Sequence, residues 1–210
     1  MSRIEIEKYI EILSRKTNIS PNNLFEAGSR DGDDAVYLAT QMGVPLGNVY
    51  VIEPHSTMYE NISKKYPNLN VFNFALFNEN GTMIFNEAEN LDDGRSSLMS
   101  RDIYQTNFAK REVPTYRIDT FMEDNGVNSI DAFKLDVEGA SYEVLESFGN
   151  RICDLKSIQI ESEYYKVWDE QKIWQDIKYF MTDNNFKLMW QHDIIGIQVD
   201  SIWVQNKYIK

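Results

Sequence analysis

With 210 residues the chain has the length of one domain and can bury a substantial core. Its 33 acidic residues against 21 basic ones give a net charge of -12, which argues against a nucleic-acid partner unless a local basic patch compensates, and none is visible. Cys153 is the sole cysteine, so no intrachain disulfide forms; the charged start Met1-Ser2-Arg3-Ile4-Glu5 and the lack of any apolar run of about 18 residues argue against a signal peptide or membrane span, and a cytoplasmic address is expected.

Ile4, Ile6, Tyr9, Ile10, Ile12 and Leu13 recur mostly at helical spacing, predicting an N-terminal accessory helix within 1–20 that packs on the outside of the domain. Ser20-Pro21-Asn22-Asn23 ends it, and Leu24 to Ala27 reads as a first strand that turns at Gly28 and Gly32 into an amphipathic helix over 35–42. Val49-Tyr50-Val51-Ile52 is wholly apolar, as in a strand buried on both faces of a parallel sheet, and ends at Glu53-Pro54. A helix over 56–66 and a third strand over 70–76 follow. Asn78-Glu79-Asn80-Gly81 reads as a hairpin turn, with 82–85 returning as a strand.

The segment 86–116 is polar and punctuated by Asp92-Asp93-Gly94-Arg95-Ser96-Ser97, so an irregular insertion serving as lid or substrate wall is expected. Then come a short helix within 117–125, a strand over 130–135 leading into Asp136-Val137-Glu138-Gly139-Ala140, and a helix carrying Tyr142, Val144, Leu145 and Phe148. A fifth strand over 157–160 ends at Glu161-Ser162-Glu163. A long helix over 168–183 precedes two strands, 186–191 and 195–204, joined by His192-Asp193. This alternation predicts an α/β domain: a three-layer sandwich whose mainly parallel seven-stranded sheet finishes with an antiparallel strand.

Ligands of such sheets gather beyond the carboxyl ends of the strands, where the strand order reverses. A strand, a glycine turn and a helix N-terminus meet around Glu26, Gly28, Ser29, Arg30 and Gly32, but the G-x-G-x-x-G dinucleotide fingerprint is absent. Glu53, beside Pro54, lies near the roughly 20-residue offset from the glycine turn at which an acid accepts hydrogen bonds from a ribose; capping of the next helix is the plain alternative. Asn73, Phe74 and Ala75 are candidates for contact with an adenine ring, or for simple strand packing. Asp136 is the first candidate for a catalytic or substrate-orienting acid, against a structural ion pair with Lys134. His192 is a candidate general base, against a turn residue, and His55 a cap or a neighbour of the adenine edge. Asp136, Glu161, Glu163 and His192 come from neighbouring strand ends and suit a divalent metal, but no dense ligand motif supports one, so a metal is possible and not predicted.

Taken in order, Glu26-Ala27-Gly28-Ser29-Arg30-Asp31-Gly32, Val51-Ile52-Glu53-Pro54, Asn73-Phe74-Ala75-Leu76, Arg117-Ile118-Asp119-Thr120-Phe121 and Lys134-Leu135-Asp136-Val137-Glu138-Gly139-Ala140 resemble the motif series of the FkbM family of S-adenosylmethionine-dependent methyltransferases. The resemblance implies a Rossmann-like class I methyltransferase fold, S-adenosylmethionine as cofactor and O-methylation of a small molecule or saccharide. By it, Glu26, Gly28 and Gly32 match the cofactor loop, Glu53 the ribose acid, 73–76 the adenine segment, Ser96 and Ser97 a small patch at the cofactor's amino-acid end, and Asp136 with Glu138 the motif facing the reaction centre. Ser29-Arg30-Asp31 departs from the family pattern, and Arg30 is a candidate for the methionine carboxylate or an acidic substrate. A nucleotide-binding Rossmann oxidoreductase and a non-catalytic, degenerate methyltransferase acting as an interaction module are the alternatives.

Overall fold

A computed structural model describes residues 3–88, 95–100 and 108–210. Helix α1 (Arg3–Lys16) leads into β1 (Leu24–Ala27), α2 (Asp33–Met42), β2 (Val49–Ile52), α3 (Ser56–Lys65) and β3 (Asn70–Phe72). Next come β4 (Ala75–Leu76), β5 (Gly81–Ala88), β6 (Phe108–Tyr116), α4 (Ile118–Asp124), β7 (Ala132–Leu135) and α5 (Ser141–Glu146). The chain closes through β8 (Ser157–Glu163), α6 (Trp174–Asp183), β9 (Phe186–Ile194) and β10 (Gln198–Gln205).

The main sheet has seven strands in the order β3, β2, β1, β7, β8, β10, β9; all are parallel except β10, which runs antiparallel to both neighbours. Strand order reverses between β1 and β7, whose registers place Glu26 beside Lys134. On one face Phe25, Ile118, Phe121, Val144, Trp174 and Ile177 bury a core beneath α4, α5 and α6; on the other Ile6, Tyr9, Leu38, Val51 and Ile62 bury a second beneath α1, α2 and α3. This is the expected three-layer α/β sandwich.

The first helix is more than an accessory. Its Tyr9 is fully buried; the hydroxyl accepts a hydrogen bond from the Phe133 backbone N–H (3.1 Å) and lies 2.8 Å from Ser157 Oγ. It therefore satisfies polar groups in the middle of the sheet face as well as covering them.

Three local expectations are corrected. The strand over 70–76 is two strands, because the Asn73 side-chain amide donates to the carbonyls of Glu53 and Pro54 (both 3.0 Å) and breaks the run; β4 then joins a separate three-stranded sheet. No hairpin forms at Asn78 to Gly81, since β5 pairs antiparallel with β6 instead. Consequently 86–116 is not an irregular insertion throughout: β6 occupies its end, with exposed Lys110, Arg111 and Glu112 hiding the strand behind a polar composition. Asp92, Asp93 and Gly94 of the expected lid lie outside the described residues.

Two boundaries also move. The last long helix begins at Trp174 rather than 168, because Glu170 takes a left-handed φ of 58° and the Asp176 carboxylate accepts the Ile173 N–H (2.9 Å). His192 and Asp193 lie inside β9, not in the turn, which falls at 195–197. Among the described residues no helix is long and apolar enough to cross a membrane.

Candidate active site

The carboxyl ends of β1, β2 and β7 surround a cleft that is open to solvent. Gly28, Arg30, Glu53, Ser96, Asp136 and Glu138 supply its polar lining; Ile52, Met58, Leu76, Phe85 and Leu98 supply an apolar wall. Pro54, His55 and Ala75 also line it.

Local geometry explains why the glycine turn opens here. The parallel ladder continues past the strands, with Gly28 N–H donating to Ile52 O (3.1 Å) and Asp136 N–H to Ala27 O (3.0 Å). The chain must then turn away at once. Gly28, Arg30 and Gly32 all take left-handed φ values, of 77°, 58° and 78°. Glycine accepts that conformation freely, whereas a residue with a side chain pays about 1–2 kcal/mol for it. A Cβ on Gly28 would lie 1.7 Å from the Asp136 carbonyl oxygen, so the two loops touch backbone to backbone. Across the cleft Glu138 is also left-handed (φ 49°), beside Gly139, where a Cβ would meet the Trp168 indole at 2.4 Å. Strained residues of this kind on both sides of one cleft mark a built site.

Glu53 is buried at the end of β2, its carboxylate held by the N–H groups of His55 (2.8 Å), Arg30 (3.1 Å) and Ser29. Burial pushes its pKa up to about 7, those three hydrogen bonds opposing the rise. A carboxylate offers roughly four acceptor positions, so capacity remains for a ligand hydroxyl.

Other expected cofactor residues act one step behind the cleft. Glu26 is fully buried; it pairs with Lys134 Nζ (2.9 Å) and accepts a hydrogen bond from Ser29 Oγ. Gly32 packs its Cα against Ile62 and Tyr66. Asn73 spends its amide on the Glu53–Pro54 turn, and Phe74 belongs to an aromatic cluster with Phe72 and Phe121, so neither lines the cleft. Ser96 does, while its Oγ accepts the Ala88 N–H (3.0 Å); neighbouring Ser97 donates to the Glu138 carbonyl (2.5 Å), strapping β5 to the loop after β7.

The ion pair of Asp136 with Lys134 is present, as the longest of three. Lys134 Nζ sits 4.0 Å from Asp136 but 2.9 Å from Glu26 and 3.4 Å from Asp34. Although burial works against its charge, these three acids hold the ammonium above its ordinary pKa. Asp136 also lines the cleft. His192 is not brought there: it lies in β9, its Nδ1 2.7 Å from Glu5 of α1. Of the four groups weighed for a metal, Asp136 and Glu161 come together, joined by Glu138; Glu163 instead accepts from Gln171 Nε2, and His192 is with Glu5.

The Arg117-Ile118-Asp119 motif does not line the cleft. Arg117 makes a forked pair with Asp119 (3.0 and 2.7 Å) and donates to the carbonyls of Asn78 (2.7 Å) and Ser147 (3.0 Å), tying the start of α4 to the β4–β5 loop and to the end of α5. Sequence reasoning missed the apolar wall of Met58, Phe85 and Leu98, whose residues carry no chemical signal. It missed Asp200 too, which sits opposite Glu161 on β10.

A profile described as the methyltransferase FkbM domain matches residues 26–188. None of the curated proteins matches significantly. Among solved structures, the methyltransferase FkbM of Methylobacillus flagellatus KT is similar over 87% of this chain at 12% identity and TM-score 0.56, this chain covering 44% of that one. Magnesium protoporphyrin IX methyltransferase of Synechocystis PCC 6803, solved with bound SAM, is similar over 95% of this chain and 77% of its own at 12% identity and TM-score 0.53. An O-methyltransferase of Bacillus cereus, in complex with SAH, is similar over 97% and 82% at 12% identity and TM-score 0.53. At such identity these structures establish the likeness of fold.

Proposed function

The chain belongs to the FkbM methyltransferase family, and from that premise we propose that it is an S-adenosylmethionine-dependent O-methyltransferase acting on a hydroxyl of a small molecule or saccharide, a sugar in the first instance. The observation that carries this reading is the convergence of Gly28, Glu53 and Asp136 on one cleft at the point where strand order reverses. The residues present fit the cofactor: a buried carboxylate with spare acceptor capacity for ribose, an apolar wall for a purine, and a backbone turn without side chains at Gly28.

S-adenosylmethionine supplies, when bound, an electrophilic methyl group on a sulfonium. Glu53 would accept hydrogen bonds from the ribose hydroxyls, while Met58, Leu76, Phe85 and Leu98 keep water from the base. Arg30 and Ser96, which also line the cleft, would meet the amino-acid moiety. Asp136 would orient the acceptor hydroxyl toward that methyl group and draw on its proton, which would pass to solvent. Alignment of the two reactants supplies most of the rate under this reading.

Incubation with labelled S-adenosylmethionine and an array of saccharides and small hydroxylated compounds, read by mass spectrometry, tests the proposal. A mass gain of one methyl on an acceptor oxygen is expected. Transfer only to nitrogen or carbon acceptors would overturn the O-methyl assignment.

A further inference from the structure

We propose that Asp136, Glu138 and Glu161, with Asp200 behind them, form a site for a hard divalent cation at the edge of the cleft. The first three each offer one carboxylate oxygen, and these atoms lie within 4.8 Å of one another. Asp136 and Glu138 project from the loop after β7 and line the cleft; Glu161 comes from β8.

Asp200 is the independent sign that something belongs there. It stands directly opposite Glu161 in the antiparallel β8–β10 pair, so the two side chains share one face of the sheet. It is 0% exposed, and neither of its carboxylate oxygens has a hydrogen-bond partner. A buried carboxylate in that condition is strongly disfavoured, and acidic neighbours compound the cost.

The amino terminus and His192 act favourably on Asp200, and the amino terminus on Glu161, but none of them hydrogen-bonds the Asp200 carboxylate. Lys134 Nζ is 2.9 Å from Glu26 and 4.0 Å from Asp136. His192, one strand beyond Asp200, is held by Glu5. A divalent cation among the three front carboxylates would offset all four acids at once.

The donors are oxygens throughout, which selects magnesium, manganese or calcium over softer metals. An ion that holds its ligands at about 2.3–2.6 Å asks for less inward movement of these oxygens than magnesium at about 2.0–2.1 Å. Three carboxylates leave open positions toward the cleft, which fit an acceptor presenting two neighbouring oxygens. That last clause rests on the methyl-transfer reading; cation binding does not.

The test uses the full-length chain titrated with manganese, the free ion followed by its paramagnetic resonance signal and displaced with magnesium or calcium. Binding of S-adenosylhomocysteine is measured by calorimetry on the same preparations. Saturable binding of one manganese ion per chain is expected, weakened about tenfold or more in Glu161→Gln while S-adenosylhomocysteine affinity is retained. Asp200→Asn should weaken the cation and raise the cation-free melting temperature, and it decides the matter alone if Glu161→Gln does not fold. Absence of manganese, magnesium and calcium binding up to about 1 mM, or variants that bind like the parent, overturns the site. Manganese binding without S-adenosylhomocysteine binding would leave the cation site standing and sink the transferase reading; the reverse result would do the opposite.

Discussion

The Cα of Gly28 and the carbonyl oxygen of Asp136 are in such close contact that a Cβ on Gly28 would lie 1.7 Å from that oxygen. The turn after β1 and the acid-bearing loop after β7 therefore set each other's position. Gly28→Ala should cost about 3 kcal/mol or more, or prevent folding. Gly43→Ala is the control: its φ of 72° is similar, but nothing lies within 4 Å, so it should cost only about 1–2 kcal/mol. Denaturant unfolding of the pair separates steric clash from backbone strain, and equal losses would contradict the contact.

Glu53 links cofactor affinity to pH. Burial raises its pKa from 4.5 to about 7, so the folded protein holds a proton there that the unfolded chain releases. The stability this contributes is complete below about 4.5 and lost as pH rises through about 7, on the order of 3 kcal/mol. Affinity for S-adenosylhomocysteine should run the other way, falling below pH 7 as the acceptor carboxylate is protonated. Calorimetry and melting curves between pH 5 and 8 should show these opposed trends, and Glu53→Gln should flatten both.

Arg117 tests whether its motif is structural. Its forked pair with Asp119 and its bonds to the Asn78 and Ser147 carbonyls tie α4 to both neighbouring segments. Arg117→Lys should lose about 2 kcal/mol, since an ammonium cannot reproduce the fork, with S-adenosylhomocysteine affinity retained in the folded fraction. Lost affinity in a fully stable variant would place this residue in the cleft's function instead.

Arg30 carries strain in the turn, with a left-handed φ of 58°. Arg30→Gly should exceed Arg30→Ala in stability by about 1 kcal/mol, because only glycine removes the Cβ penalty. Urea midpoints measure this directly, and equal midpoints would mean that the turn relaxes without cost.

Asp136→Asn should slow methyl transfer while leaving cofactor affinity nearly unchanged, because the amide keeps the shape and loses the charge. Unaltered turnover would remove Asp136 from the reaction.

What could be read from the sequence depended on how local the signal was. The apolar strands over 24–27 and 49–52 announced a parallel sheet, and Gly28, Glu53 and Asp136 were recognisable because each falls directly after a buried strand. Strand β6 escaped because its exposed Lys110, Arg111 and Glu112 resemble a loop, although Val113 and Thr115 face inward. Asn73 is open to an adenine contact or strand packing in the sequence, because nothing local indicates that its amide is spent on the Glu53–Pro54 turn. The Glu161–Asp200 pair was hidden for another reason: it is made by antiparallel strands far apart in sequence, and periodicity carries no information about register between them.

The buried Tyr9 hydroxyl has a practical consequence for where the folding unit is drawn. Family similarity runs from 26 to 188, yet Tyr9 bonds to the central strand, β10 borders β8, and Thr17 bridges to Ile209. A fragment trimmed to the matched span would uncover one side of the sheet and leave β8 as a raw edge open to other chains. The recognisable signature is thus smaller than the cooperative unit, and the flanking segments with no family signature are what make the signature foldable.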